Sequence, residues 1–153
     1  MPEHPPRRRL GLGYRQRLHG RKQFDAVFAA RCRKPAGPLT ILTRPNGLAF
    51  SRLGLAVPRR VGTAVRRNRI KRLLREAFRL RQRELPAGYD VVVLVRPHEP
   101  MALQEYQKLL ESGLRAADRQ WQRWSSKAAK QPPEAPREDR RGPDNSPRGA
   151  PPT

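Results

Sequence analysis

Residues Arg52–Phe78 read RLGLAVPRRVGTAVRRNRIKRLLREAF, and the change of rhythm inside this stretch decides the fold. Its opening alternates. Leu53, Leu55 and Val57 recur at a period of two, which predicts a strand over Phe50–Val57. Gly62 and Thr63 then break the pattern, and Thr63 has the hydroxyl that an N-cap needs. Beyond them the period lengthens. Ile70, Leu73, Leu74, Ala77 and Phe78 fall at i, i+3, i+4, i+7 and i+8, the signature of a helix with one apolar face. That helix is predicted over Ala64–Leu85, stopped by Pro86-Ala87-Gly88. Asp90–Arg96 (DVVVLVR) follows as a continuous apolar run, the mark of a strand buried on both faces. Strand, helix and strand make a β-α-β unit, whose two strands are parallel.

Working outward, Phe24, Val27 and Phe28 at i, i+3 and i+4 predict a short helix over about Arg21–Ala30. Pro35–Pro38 reads as a break. Leu39–Arg44 (LTILTR) is β-branched and predicts a strand, with turn chemistry at Pro45-Asn46-Gly47. Met101–Trp124 predicts a last helix with Leu103, Tyr106, Leu110, Leu114, Ala117, Trp121 and Trp124 on one stripe. The sum is an α+β fold, a small central sheet with helices packed on it. Residues 1–13 are expected to be a flexible basic arm, 14–125 one folded domain and 126–153 a disordered Pro/Arg-rich tail. Gln131–Thr153 holds 7 of the 17 prolines and no large apolar residue, too little to offset the entropy of ordering.

Charge narrows the function. The 153 residues carry 34 Lys+Arg against 13 Asp+Glu, a net +21. Over Gln131–Thr153 four Arg and four acids cancel, so the whole excess sits in residues 1–130. A chain this basic repels itself until it meets a polyanion, which points to nucleic acid or an anionic membrane surface and away from an ordinary metabolic enzyme. The single Cys32 cannot form an intrachain disulfide, and a reducing, cytoplasmic setting is the expectation. Met1–Leu10 has no apolar stretch behind it, so no secretory signal is expected. The longest apolar run, Val91–Val95, falls far short of the roughly 18–20 residues that span a bilayer, so no membrane is expected as partner.

Between Arg59 and Arg83 lie 11 cations and one acid, Glu76. On a helical projection Asn68, Lys71, Arg72, Arg75 and Arg79 fall opposite the apolar stripe, so the helix docks on the sheet and shows a cationic ridge outward. A helix serving solubility alone would do better with mixed signs. Phosphate binding accounts for the ridge, and the Asn68 amide adds a donor–acceptor pair for a base edge or sugar hydroxyl. No catalytic constellation accompanies it. His4, His19 and His98 are scattered and read as surface residues, and Cys32 has no base partner. There is no P-loop, no dinucleotide fingerprint and no zinc spacing. Trp121 and Trp124 read as packing residues of the last helix.

The run GLAVPRRVGTAVRRNRIKRLLREAF, with Arg67-Asn68-Arg69 at its centre, resembles the signature of the protein subunit of bacterial ribonuclease P. Arg17-Leu18, the Phe24/Phe28 pair, DVVVLVR and the final helix fit the same family, over roughly residues 15–125. The resemblance implies that an RNA subunit is the catalyst and removes 5′ leaders from precursor tRNA with Mg²⁺, held mainly by that RNA and not by this chain. It implies that the β-α-β crossover is left-handed, against the usual rule. Arg66, Arg67, Asn68, Arg69, Lys71, Arg72 and Arg75 would face the RNA subunit, with Arg59 and Arg60 extending the surface. No residue of this chain would be catalytic. The expected partners are one RNA subunit per chain and the precursor tRNA, with no protein partner required. Phe24 and Phe28 match the aromatic positions of a leader cleft between the first helix and the sheet; plain core packing is the other reading of both. The family often has an aromatic on the facing strand, where this chain has Thr40-Ile41-Leu42-Thr43. Pro58 stands where a Ser is common and removes a backbone donor.

Two other classes share the charge. A ribosomal or other structural RNA-binding protein would have the same small mixed fold, and the Arg-Asn-Arg signature speaks against it. A DNA-binding protein would present a free helix to the major groove; here the helix is tied into a β-α-β unit. A membrane-surface helix would need the apolar face that the sheet requires.

Overall fold

The computed structural model describes residues 12–130. They form helix α1 (Gly20–Ala29), strands β1 (Cys32–Ala36), β2 (Leu39–Pro45) and β3 (Arg52–Ala56), helix α2 (Ala64–Arg81), strand β4 (Tyr89–Val95) and helix α3 (Leu103–Lys130). The four strands lie in the order β1-β2-β4-β3. β1 pairs with β2, and β2 with β4, antiparallel; β3 pairs with β4 parallel, with Leu53 opposite Val91 and Leu55 opposite Val93. The β-α-β unit read from the sequence is therefore present as β3-α2-β4, and the α+β class holds.

Each face of the sheet has its own core. On one face Ile41, Leu53, Val91, Val93 and Val95 meet Ile70, Leu74, Ala77 and Phe78 of α2 and Tyr106, Leu110 and Leu114 of α3. On the other, Leu42 and Val92 meet Leu18 and Val27, with Phe24, Ala56 and Leu94 packed around them. β4 feeds both cores, which is why its sequence is apolar without alternation. α3 lies close enough on β2 that a side chain at Gly113 would run into Ile41. Trp121 Nε1 donates to Thr43 Oγ1 at 2.9 Å and Tyr89 Oη to Asp118 Oδ1 at 2.6 Å, so polar bonds from β2 and β4 also hold this helix.

Several boundaries differ from the expectations. Residues 32–36, partly read as a break, form β1; an edge strand tolerates Pro35 because one of its sides has no partner to bond. β3 is shorter than the predicted Phe50–Val57, because Ser51 leaves the ladder to accept from Tyr89 N–H and donate to the Pro86 carbonyl, both at 3.1 Å. α2 ends at Arg81, where the Glu84 and Leu85 amides turn back to the Arg81 carbonyl. α3 runs past Trp124 to Lys130, so residues 126–130, assigned to the tail, are helical. Leu12, assigned to the arm, is buried in the larger core. The chain divides into two compact units, Met1–Trp121 and Gln122–Thr153; the sheet, α1 and α2 belong to the first, and the described part of the second is the end of α3. The remainder of the predicted arm and tail, residues 1–11 and 131–153, lies outside the described residues.

Candidate nucleic-acid interface

The approach to α2 is built to fix its start. Pro58 leads into a 3-10 turn, Arg59–Val61, in which Val61 is buried and Arg59 and Arg60 are exposed. Gly62 follows at φ 150°, a backbone state that side chains rarely adopt. Thr63 then caps α2, its Oγ1 accepting from the Arg66 amide at 3.2 Å. With Ile70, Leu74, Ala77 and Phe78 turned into the core, the 3.6-residue repeat leaves Asn68, Arg69 and Arg72 exposed. Arg66, Arg67, Lys71 and Arg75 are half-buried along its flanks. Arg67 Nε donates to the Gly62 carbonyl at 3.2 Å, which leaves the rest of its guanidinium for another partner.

The carboxylates are unevenly shared. Arg66 pairs with Glu99 at 3.3 Å, Arg79 with Glu76 and Arg81 with Glu84. Among the described residues no carboxylate pairs with Arg59, Arg60, Arg67, Arg69, Lys71, Arg72 or Arg75. Arg79, placed on the ridge by the projection, spends its charge on Glu76, whose carboxyl is held below the ordinary glutamate value by that hydrogen bond. Burial, and then the charge of Arg17, pushes the Arg75 guanidinium downward. Like charges thus stand together without an intervening anion, the arrangement that a polyanion relieves. Arg17 is a cation the ridge acquires from another element. It bridges Leu53 at the β3 edge, and its Nε donates to the Leu12 carbonyl at 3.1 Å. No helical projection of α2 could have included it.

The exposed side of α2 is not uniformly charged. Val65, Asn68, Arg69, Arg72 and Leu73 line one shallow depression of about 480 Å³. Val65 is 79% exposed, an apolar residue left among guanidinium groups. An apolar floor with an amide and two guanidinium groups at the rim suits a base or ribose with its phosphates.

The two phenylalanines have separated. Phe24 is half-buried and its ring packs against β3 at Gly54: a Cβ there would stand 2.6 Å from its Cζ. Phe24 therefore packs in the core of that face, whereas Phe28, 42% exposed, remains open. The same face holds a polar network that the sequence reading missed. Asp90, buried, accepts from Arg52 through both oxygens at 2.7 Å and from Asn46 Nδ2 at 3.0 Å. The hydrogen bond to Asp90 raises the Arg52 pKa against the opposing effect of burial. Three residues on three separate segments make this network, and no local pattern announces it.

The remaining candidates are structural. His98 sits with Nδ1 2.7 Å from the Arg96 carbonyl and Nε2 2.7 Å from Tyr106 Oη. The neutral tautomer with the proton on Nδ1 satisfies both, donating to Arg96 and accepting from Tyr106. His19 stacks on Tyr14, and Cys32 is buried in β1; His4 lies outside the described residues. Trp121 is a packing residue as expected, while Trp124 is 40% exposed. Among the described residues no three His, Cys, Asp or Glu side chains come close enough to hold a metal ion. No described helix is long and apolar enough to cross a membrane.

Proteins of similar sequence and fold are known. Residues 12–119 match the family model described as Ribonuclease P. The Ribonuclease P protein component of Methylococcus capsulatus is 48% identical over 92 residues, 60% of this chain and 71% of that protein. That of Photobacterium profundum is 40% identical over 104 residues, 67% of this chain and 88% of that protein. Among solved structures, the RNase P protein of Thermotoga maritima superposes with a TM-score of 0.60 at 33% identity, covering 65% of this chain and 96% of that one.

Proposed function

Because the chain belongs to the ribonuclease P protein family, with a role in an endoribonuclease holoenzyme that has an RNA partner, we propose that its cationic ridge grips the catalytic RNA subunit. The observation that carries this is the set of seven cations without a described carboxylate, on and beside α2, around the exposed Asn68. Arg69 and Arg72 meet phosphates directly, and Arg67, Lys71 and Arg75 contribute from the flanks. Arg59 and Arg60 carry the surface past the N-terminus of α2, and Arg17 joins it beside Arg75. Arg is suited to this because its planar fork matches phosphate oxygens.

On this reading the chemistry belongs to the RNA. The holoenzyme cuts the 5′ leader from precursor tRNA with Mg²⁺ held by RNA phosphates, and no step is assigned to a metal held by this chain. The protein's part is electrostatic and geometric. Its cations lower the repulsion between two polyanions, which raises the apparent Mg²⁺ affinity of the complex. The open ring of Phe28, on α1, offers the leader a stacking surface, so precursor is favoured over mature tRNA. Phe24, one helical turn before Phe28 on α1, packs against β3.

The test is reconstitution of one protein with one catalytic RNA, assayed for leader removal at low Mg²⁺. Replacing Arg67 and Arg69 together with Ala weakens assembly by roughly 10²- to 10⁴-fold, since each hydrogen bond to a charged group contributes about 1.5–3 kcal/mol. The free protein stays folded, its thermal midpoint lowered only by loss of the Arg67 bond to the Gly62 carbonyl, worth about 1 kcal/mol. Wild-type assembly with no gain in leader removal, or trimming by the protein stripped of RNA, would overturn the assignment.

A further inference from the structure

A tyrosine at the edge of the sheet is held in place without being buried. Tyr14 opens the 3-10 turn Tyr14–Gln16 and is 76% exposed. Its ring stacks on His19 with centroids 3.8 Å apart and planes 19° from parallel. Short bonds fix both partners. His19 Nε2 lies 2.7 Å from the Tyr14 carbonyl, and the His19 amide donates to Gln23 Oε1 at 2.5 Å. Gln16 accepts from the Gly13 amide at 3.2 Å and donates to Gln82 Oε1 at 2.9 Å, which ties the turn to the end of α2. An exposed side chain ordinarily keeps its rotamer freedom; here the loss has already been incurred, as in a preorganised binding surface. Beside the ring lies a depression of about 510 Å³ lined by Gly13, Tyr14, Arg15, Gln16 and Phe50. Arg15 is exposed and no described carboxylate pairs with it.

We propose that this depression receives an unpaired base of the precursor's single-stranded 5′ leader, stacked on Tyr14, with Arg15 on a neighbouring phosphate. The assignment rests on the ribonuclease P reading above and adds a contact site to it. An aromatic face with a guanidinium beside it is the pairing that sequence-tolerant single-strand binders use. Paired RNA hides its base faces within the helical stack, which favours the leader over a duplex region of the RNA subunit. Position argues the same way. Arg17 bridges Leu53 and the Leu18 amide donates to the Leu53 carbonyl at 3.0 Å, so the segment runs along the free edge of β3. Gly54, the next residue of that strand, carries Phe24 of α1, and Arg17 interacts with Arg75 of the ridge. The platform stands between the α1 side of the sheet and the ridge, at the N-terminal end of the helix that bears Phe28.

The experiment uses the reconstituted holoenzyme and three RNAs: precursor with a long leader, precursor with a leader too short to reach the platform, and mature tRNA. Tyr14→Ala is expected to weaken long-leader binding by about 5- to 160-fold, the range of one base–aromatic stack, and to leave the other two alone. Tyr14→Phe, which keeps the ring, restores the affinity. Assembly of Tyr14→Ala with the catalytic RNA and its thermal midpoint match wild type. Equal losses on all three RNAs, unchanged long-leader affinity, or a loss confined to assembly with the catalytic RNA each overturns the leader platform. Failure of the wild-type protein to bind catalytic RNA at all would instead sink the family function on which the platform rests.

Discussion

Gly54 and Phe24 illustrate how a single position is chosen by a partner far away in sequence. The ring occupies the space a Cβ would need, 2.6 Å from its Cζ and 2.9 Å from its Cε1. Gly54→Ala must therefore lift Phe24 and α1, at a cost of about 1–3 kcal/mol, read as a lowered urea midpoint with little change in slope. Arg52 and Asp90 are coupled more tightly. Arg52→Ala leaves a buried carboxylate with Asn46 alone, and removing one partner of a buried pair costs about 3–5 kcal/mol. Arg52 keeps some exposure, so equilibrium unfolding is expected to show the lower end, about 3 kcal/mol. Of these residues the sequence named Phe24 as a site candidate and passed over the rest. Glycine, arginine and aspartate in a strand carry no signal until their neighbours are known. The ridge residues were legible because one helix supplies nearly all of them and its period is regular. Arg17 was not, because it reaches Arg75 only through the β3 edge.

At the level of elements, α2 and β4 were readable because each carries a long, consistent pattern. β1 was not. Its Pro35 and Arg33 look like loop chemistry, and what makes it a strand is pairing with β2, with Cys32 opposite Thr43 and Ala36 opposite Leu39. α3 was recognisable from its apolar stripe, but its polar attachments were not, since Tyr89–Asp118 and Trp121–Thr43 join residues distant in sequence. The first of these attachments sets an alkaline limit. Burial, then the hydrogen bond to Asp118, raises the Tyr89 pKa above the ordinary value of about 10. A raised tyrosine contributes stability fully below the unfolded value and loses it as pH rises from there toward the folded one. Chemical unfolding followed across pH 9 to 11 should show a falling midpoint, and Tyr89→Phe should flatten that fall. The variant should also lose about 1 kcal/mol at neutral pH, because Asp118 gives up a donor. Tyr106, raised chiefly by burial, contributes in the same direction and leaves part of the fall in place.

For the molecule as a whole the governing quantity is its net charge of +21. Binding that releases counterions from about 6–10 phosphates loses roughly 10³–10⁵ in affinity between about 50 and 200 mM salt. Filter binding to the catalytic RNA should show that steepness, and Arg69→Ala or Arg72→Ala should each reduce the slope by about one. A flat salt dependence would remove the phosphate-gripping role. The class of partner, the β-α-β unit, the docked face of α2 and the family were all determined by the sequence itself. They follow from charge, local periodicity and one long signature, properties that a chain carries before it folds. The tertiary structure alone decided which cations remain without carboxylates, that Phe24 packs while Phe28 stays open, that a proline-bearing segment is an edge strand, and that Tyr14 is held ready beside β3. Each of these depends on groups far apart along the chain meeting in space, and no local pattern encodes the distance between them.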